Sequence, residues 1–383
     1  MEDRTAPISD ANLGAVFNLL TVEESLRIPH FKDEVLYEQP NAHLNGLWEM
    51  LKLRGGLGAI STNRTLQAFI LWHSTAHAIA AFDSPNPATL EYIRTANYPC
   101  HPPGYYSRRS RHLVDLCQQA GLAASLIELL DSVLVLAADL SAWYGDPRSP
   151  LDALEIQNFS CALECLLLAW IREREPLVTP LESALCVTLI IFTIRTTEAL
   201  KQKSDIHHLH FVASKRLESA LNCTTHADWR PCPDLLLWIL SIGTISAEGS
   251  AQSAWFVNQT SLACAVFQID SAEALLERLH LCGWVSYKLD ESVHRLWSKI
   301  IHARLRSYPS ALSPYIDNAE SPPRPLQNGI NESEFTDWHT ADWAAIIAAM
   351  PTQESDLSNV GVSWTTATAT GFDDAFGGAL TDL

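Results

Sequence analysis

The sequence contains no apolar run long enough to cross a bilayer; the longest, Leu185 to Ile194, stops at Arg195. A membrane span is therefore not expected. The first residues, Met1-Glu2-Asp3-Arg4, are charged without being basic, and no apolar segment follows them. A secretory leader is not expected either, so the sequons Asn158-Phe-Ser160 and Asn258-Gln-Thr260 read as chance matches. The Gly-x-Ser-x-Gly elbow, the phosphate loop and the dinucleotide fingerprint are all missing. Aspartate-rich helical motifs hold magnesium with several carboxylates on one face, but the adjacent pair here, Asp373-Asp374, lies near the C-terminus. His73 and His77 stand one helical turn apart, yet Ser74 occupies the position where a zinc protease carries its general base. These histidines read as a packed or capped helix face. No enzyme is expected, and no catalytic, cofactor-binding or metal-ligating residue is assigned.

Basic residues are scarce. Lys and Arg number 26 against 44 Asp and Glu, and the formal net charge is -18. Phosphate neutralisation takes clustered cations, so this chain is not expected to hold nucleic acid by itself. The one basic cluster, Arg108-Arg109-Ser110-Arg111-His112, reads as a nuclear import signal, as a phosphate contact, or as the solvated polar start of a helix. The nine cysteines are scattered and odd in number, several inside apolar runs, as suits reduced thiols packed as small hydrophobes. Cys161 and Cys165 lie one helical turn apart in an apolar segment and read as core. Cys223 and Cys232 flank a loop with no second pair nearby, too few for a structural zinc site. His207, His208 and His210 read as a solvated helix start, with a surface metal as the alternative.

With 47% hydrophobic residues, the chain is long enough to bury a sizeable core. Apolar residues recur at helical spacing almost throughout, and long strand-like alternation is missing. In Asn41 to Gly56, Leu44, Leu47, Trp48 and Leu51 form one stripe, Asn41 is placed to cap it, and Gly55-Gly56 to end it in left-handed geometry. Thr62 to Phe82 carries Leu66, Phe69, Ile70, His73 and His77 until Ser84-Pro85-Asn86-Pro87, after which a long Pro- and Tyr-rich loop is expected. Further helices are predicted over Ala123 to Tyr144, Leu151 to Ile171, Leu181 to Leu200, His207 to Leu221, Pro233 to Ala247, Gln252 to Phe267, Ser271 to Cys282 and Leu289 to Leu305. The β-branched residues Val187, Thr188, Ile190, Ile191 and Ile194 leave a buried strand as the competing reading for Leu181 to Leu200. Length favours a helix, apolar nearly all round and central to a bundle. The helical registers place Trp48, Trp72, Trp238 and Trp297 in the core.

The predicted organisation is a partly ordered N-terminal segment (1–40), a helical domain (41–308), a Pro-rich linker (309–330) and an acidic-aromatic, disordered tail (331–383). The tail has no Lys or Arg but nine acids, half of the net charge, interleaved with Phe335, Trp338, Trp343, Trp364, Phe372 and Phe376. Such a mix suits an activation segment whose aromatics stay solvated until a partner groove takes them, and equally a plain solvated tail.

The stretch His43-Leu-Asn-Gly-Leu-Trp-Glu-Met-Leu-Lys-Leu-Arg-Gly-Gly-Leu57, with Ile70-Leu-Trp72 and Phe82-Asp-Ser84, resembles the middle regulatory region of fungal zinc-cluster transcription factors. The resemblance continues in Gln157-Asn-Phe-Ser-Cys-Ala-Leu-Glu-Cys165 and Trp229-Arg-Pro-Cys-Pro-Asp-Leu-Leu-Leu-Trp238. It then runs through Ile242-Gly-Thr-Ile-Ser-Ala-Glu-Gly249 and Trp255-Phe256 to Leu296-Trp297, spanning Ala42 to His302. It implies an all-α, multi-helix bundle that controls activation, partner contacts or effector response in the nucleus, or alternatively in the cytoplasm. In that family a separate zinc cluster contacts DNA. Six thiolates at close spacing would be required here, and no Cys precedes Cys100. The resemblance therefore implies protein partners, such as transcription machinery or another regulator, and homo- or heterodimerisation. A cluster-less protein that titrates a full-length regulator is the alternative, and an all-helical enzyme of unrecognised type a third reading.

Overall fold

The computed structural model describes residues 8–27, 42–197 and 208–307. The periodic segments become α-helices, with no strand among the described residues. A first group comprises α1 (Asp10–Arg27), α2 (Ala42–Arg54), a 3-10 turn (Leu57–Ile60), α3 (Arg64–Ala81) and α4 (Pro87–Thr95). The second runs through α5 (His112–Gln119), α6 (Ala124–Gly145), α7 (Ala153–Arg174), α8 (Pro180–Thr197) and α9 (His208–Asn222). It continues in α10 (His226–Trp229), α11 (Pro233–Ser246), α12 (Ser253–Val266), α13 (Ala272–Leu281) and α14 (Ser286–Ser307). Asn41 and the expected linker and tail, 309–383, lie outside the described residues, while the segment 1–40 contributes α1.

Local chemistry explains where the helices start and stop. The side chains of Asn63, Asn86, Asp152 and Ser271 accept backbone N–H groups of Leu66, Ala88, Leu154 and Ala274 at 2.9 to 3.2 Å, satisfying donors that have no partner inside the helix. Gly55 and Gly56 end α2 at φ 102 and 91, as their sequence position predicts. Phe82, at φ 48, ends α3 in left-handed geometry without being glycine. That conformation costs about 1 to 2 kcal/mol. Its ring is 2% exposed and lies under the Arg216 guanidinium at 4.9 Å, and burying a phenyl returns about 1.5 to 3 kcal/mol, so packing wins over backbone preference. The loop expected after Phe82 is interrupted by α4. Asn86-Pro87, read as a breaker, is instead an N-cap followed by proline at N1, where the missing N–H has no intrahelical acceptor to lose.

Two apolar cores share helices α3 and α7, with α3 placing Ala78 and Ile79 in the larger and Leu66, Ile70 and Leu71 in the smaller. The larger gathers α5, α6, α8, α11, α13 and α14 around Phe192, Trp238 and Phe256. The smaller joins Leu13 and Leu20 of α1 to Leu47, Leu51, Ile60, Ile70 and Leu71. Helix α7 sends Phe159, Leu163, Leu167 and Leu168 into the first and Cys161, Ala162 and Cys165 into the second, which explains why it is buried nearly all round. Helix α8 is a helix despite its β-branched run, and it packs against α6, α7, α9 and α11. Its threonines remain buried because Thr188, Thr193, Thr196 and Thr197 donate to the carbonyls of Ala184, Ile190, Phe192 and Thr193 at 2.7 to 2.8 Å. Helices α7 and α8 each meet the length and mean hydropathy of a bilayer span, but most of each is buried against its neighbours in this bundle.

Trp238 and Trp297 are buried as predicted, at 1% and 8% exposure. Trp48 and Trp72 are only half-buried, a correction to their expected place in the core. The Trp72 ring sits in an aromatic strip with Phe69 and Phe17, and its Nε1 donates to the buried Asn158 Oδ1 at 3.1 Å, so its polar edge is satisfied from inside. Trp170, Trp229 and Trp284 are buried as well.

Candidate functional site

The residues singled out by spacing separate into packing elements. His73 and His77 have ring centroids 6.5 Å apart; His73 meets the edge of Phe17, and His77 is exposed. Ser74 between them is buried against Thr89, 3.0 Å from hydroxyl to hydroxyl. Cys161 and Cys165 are buried, with Cys165 Sγ 3.3 Å from Thr75 Oγ1. Burial pushes the Cys165 thiol up to about 12 and the Cys161 thiol well above its ordinary value, so both are protonated at neutral pH. Cys223 is exposed, whereas Cys232 is buried and its thiol donates to the Asp228 carbonyl at 3.5 Å. Among the described residues, no three His, Cys, Asp or Glu side chains converge on a metal-sized site. The side chains of His207, His208 and His210, and Asp373-Asp374, lie outside the described residues.

The basic cluster forms the approach to α5. Arg109 holds Asp131 through two parallel bonds, Nε to Oδ1 at 2.8 Å and Nη2 to Oδ2 at 2.7 Å. His112 opens the helix and its Nε2 lies 3.2 Å from Asp234 Oδ2. Arg108, Arg109, Ser110 and Arg111 are all exposed.

Two buried acids escaped the sequence reading. Asp139, 2% exposed on α6, receives His101 Nε2 at 2.7 Å on one oxygen and the Ser107 hydroxyl on the other. A Ser-His-Asp hydrolase places the imidazole between serine and acid so that it can take the serine proton. Here the carboxylate stands between the other two, and the three residues clasp the loop 101–107 onto α6. Burial, with the Asp139 charge beside it, holds the Tyr105 phenol above its ordinary range. Glu164, 5% exposed on α7, accepts the Ser160 hydroxyl at 2.9 Å and also bonds Thr193. Ser160 in turn meets the Thr197 hydroxyl at 3.1 Å. Burial pushes the Glu164 carboxyl up to about 8, against smaller lowering by those two hydroxyl bonds. The signal was present as a lone acid in an apolar helix: Asp139 stands beside Leu136, Ala137 and Leu140, and Glu164 between Cys161 and Cys165.

A cleft of about 320 Å³ opens between the α3–α4 turn, α4 and α7, floored by Pro85, Pro87, Leu90 and Ala169. That volume is at the lower end for small-molecule sites. Of its charged lining residues, Arg94 and Glu173 pair at 3.0 Å and Glu91 adds one further acid, so the walls offer a ligand chiefly apolar contact beside a single carboxylate.

No family model, curated protein or solved structure matches the chain. The family resemblance accordingly rests on the motifs themselves.

Proposed function

We propose that the chain is the helical regulatory module of a nuclear transcription regulator, acting through protein contacts and carrying an activation segment in residues 331–383. The observation that carries the reading is the pairing of two unlike parts in one chain. The described residues up to Ser307 form a multi-helix body, and the segment beginning at Asn331 has nine acids, six aromatics and no Lys or Arg. The motifs behind the family resemblance support it, because they supply much of the packing. Trp229 and Trp238 are buried, Cys161 and Cys165 sit in the smaller core, and Gly243 lies where α11 meets α12. A Cβ on Gly243 would collide with the Phe256 ring, so that motif glycine is explained by close approach of two helices.

Specific DNA binding by this chain alone is not part of the proposal. Much of the body's positive charge is engaged internally: Arg64 with Asp152 and Glu155, Arg109 with Asp131, Arg172 with Asp83 and Glu175, and Lys299 with Glu248. Partners supply any DNA affinity. The test is to tether residues 331–383 to a heterologous DNA-binding domain and read a reporter gene. Strong output is expected, falling sharply when Trp338, Trp343 and Phe372 become Ala, because each aromatic supplies about 150 to 250 Å² of docking area while every acid remains. Silence from the intact segment, or full output from the triple variant, rejects the activation role.

A further inference from the structure

The stretch from Arg108 to Arg111 is left unused by the function proposed above. Its backbone from Tyr105 onward has no regular structure until α5 begins at His112, and four consecutive side chains are exposed. Ser110 sits at the centre of two contacts. Its Oγ donates to the Leu281 carbonyl at 2.7 Å, fastening the loop to the end of α13, and accepts the His112 N–H at 3.2 Å. Arg109, on its N-terminal side, is occupied by Asp131. The guanidinium groups of Arg108 and Arg111 make no hydrogen bond or ion pair with other described residues.

We infer that Ser110 is a phosphorylation site for an arginine-directed serine/threonine protein kinase, and that the phosphate releases the α13–α14 turn from this loop. A kinase cleft lined by carboxylates selects an exposed, extended chain bearing arginine, since guanidinium pairs with carboxylate through two parallel bonds. Arg108 and Arg111 make no bond with the other described residues that a kinase would have to break, and the stretch 105–111 carries no regular structure that would have to unfold before entering a cleft. Ser107 is the poorer acceptor, because it is half-buried and its hydroxyl is committed to Asp139.

In the reaction the Ser110 Oγ attacks the γ-phosphorus of kinase-bound ATP. The Oγ–P bond forms, the bond from that phosphorus to the β-phosphate bridge breaks, ADP leaves, and the hydroxyl proton passes to the kinase's aspartate. The esterified Oγ has no proton left to donate. A group of roughly −1.5 to −2 charge then faces the Leu281 carbonyl oxygen across former hydrogen-bond distance, and is repelled. New partners lie within two residues, in Arg108, Arg111 and the first turn of α5. Leu281 is half-exposed, at 50%, so its release forfeits little apolar burial, whereas Trp284 and Val285 stay packed and confine the loosening to the turn.

The test treats the full chain with the catalytic subunit of an arginine-directed kinase and Mg-ATP, followed by intact mass, peptide sequencing and hydrogen exchange. One phosphate on Ser110 is expected, absent in Ser110→Ala. Replacing Arg108 and Arg111 together by Ala should slow incorporation about tenfold or more, as expected for loss of charge-assisted pairs. Amides of residues 281–285 should exchange faster after phosphorylation while those of α6 hold. Ser110→Ala, which deletes the donor without adding charge, should show a smaller increase. Equal incorporation into Ser110→Ala, or labelling of Ser110 only after unfolding in urea, overturns the site. A phosphate on Ser110 with unchanged exchange at 281–285 overturns the release.

Discussion

Glu164 should make the folding stability of this protein fall as the pH rises through neutrality. In the unfolded chain its carboxyl ionises at its ordinary value of about 4.5; in the folded protein, burial holds it at about 8. Between these values the native state keeps a proton that the unfolded state has released, so the unfolding free energy declines with pH. Below the lower value both states are protonated and the contribution is complete; above the upper value both are ionised and the loss has levelled off. The limiting slope for one proton is about 1.4 kcal/mol per pH unit, and the whole window amounts to about 3 to 5 kcal/mol. Glu164→Gln isolates this contribution, because the amide oxygen can still accept the Ser160 hydroxyl and cannot ionise. The assay is urea unfolding of both proteins at pH 5, 6, 7 and 8. The stability difference should move in favour of Gln by about 1 kcal/mol or more per unit from pH 5 to pH 8. Parallel pH profiles for the two proteins would mean that Glu164 is not held neutral by burial, and would refute the reasoning.

Trp238→Ala should destabilise the fold by about 3 to 5 kcal/mol, and Trp48→Ala by only about 1 to 2, since the first indole is 1% exposed and the second half-buried; denaturant midpoints at fixed pH compare them. Gly243→Ala should cost about 1 to 3 kcal/mol through overpacking against Phe256 and Leu217, and trimming Phe256 to Leu in the same chain should recover part of it. Duplex DNA should bind no better than non-specifically, with micromolar or weaker affinity at physiological salt. A nanomolar, sequence-selective gel shift by this chain alone would contradict that expectation.

Much of the helical architecture was legible because periodicity is a property of long segments. Pro233 to Ala247 and Gln252 to Phe267 were each placed to within a residue of α11 and α12. Helix α4 was missed because Asn86-Pro87 both breaks a preceding helix and starts a new one, and only the packing of Thr89 and Ile93 decides between these. Trp48 and Trp72 show the same limit, since a helical stripe names a face but not how deeply the neighbouring elements cover it. The candidate chemistry was less legible still. His73 and His77 had a spacing that invited attention, whereas Asp139 and Glu164 showed only as lone acids in apolar helices, and their partners came with the fold, which brought His101 and Ser107 to one and Thr193 to the other. Those partners are 29 to 38 residues away in sequence, and no local pattern encodes them.

Because α7 faces both cores, neither half of the body can be cut away cleanly. A fragment starting at α5 would carry Cys161, Ala162 and Cys165 on a newly wetted face. One comprising α1 to α4 would have lost the opposite wall of its own interior. Helix α7, together with α3, thus couples the two halves into one melting unit, and a lesion at Leu51 or Ile70 should be felt at Phe192 through the helices both cores share.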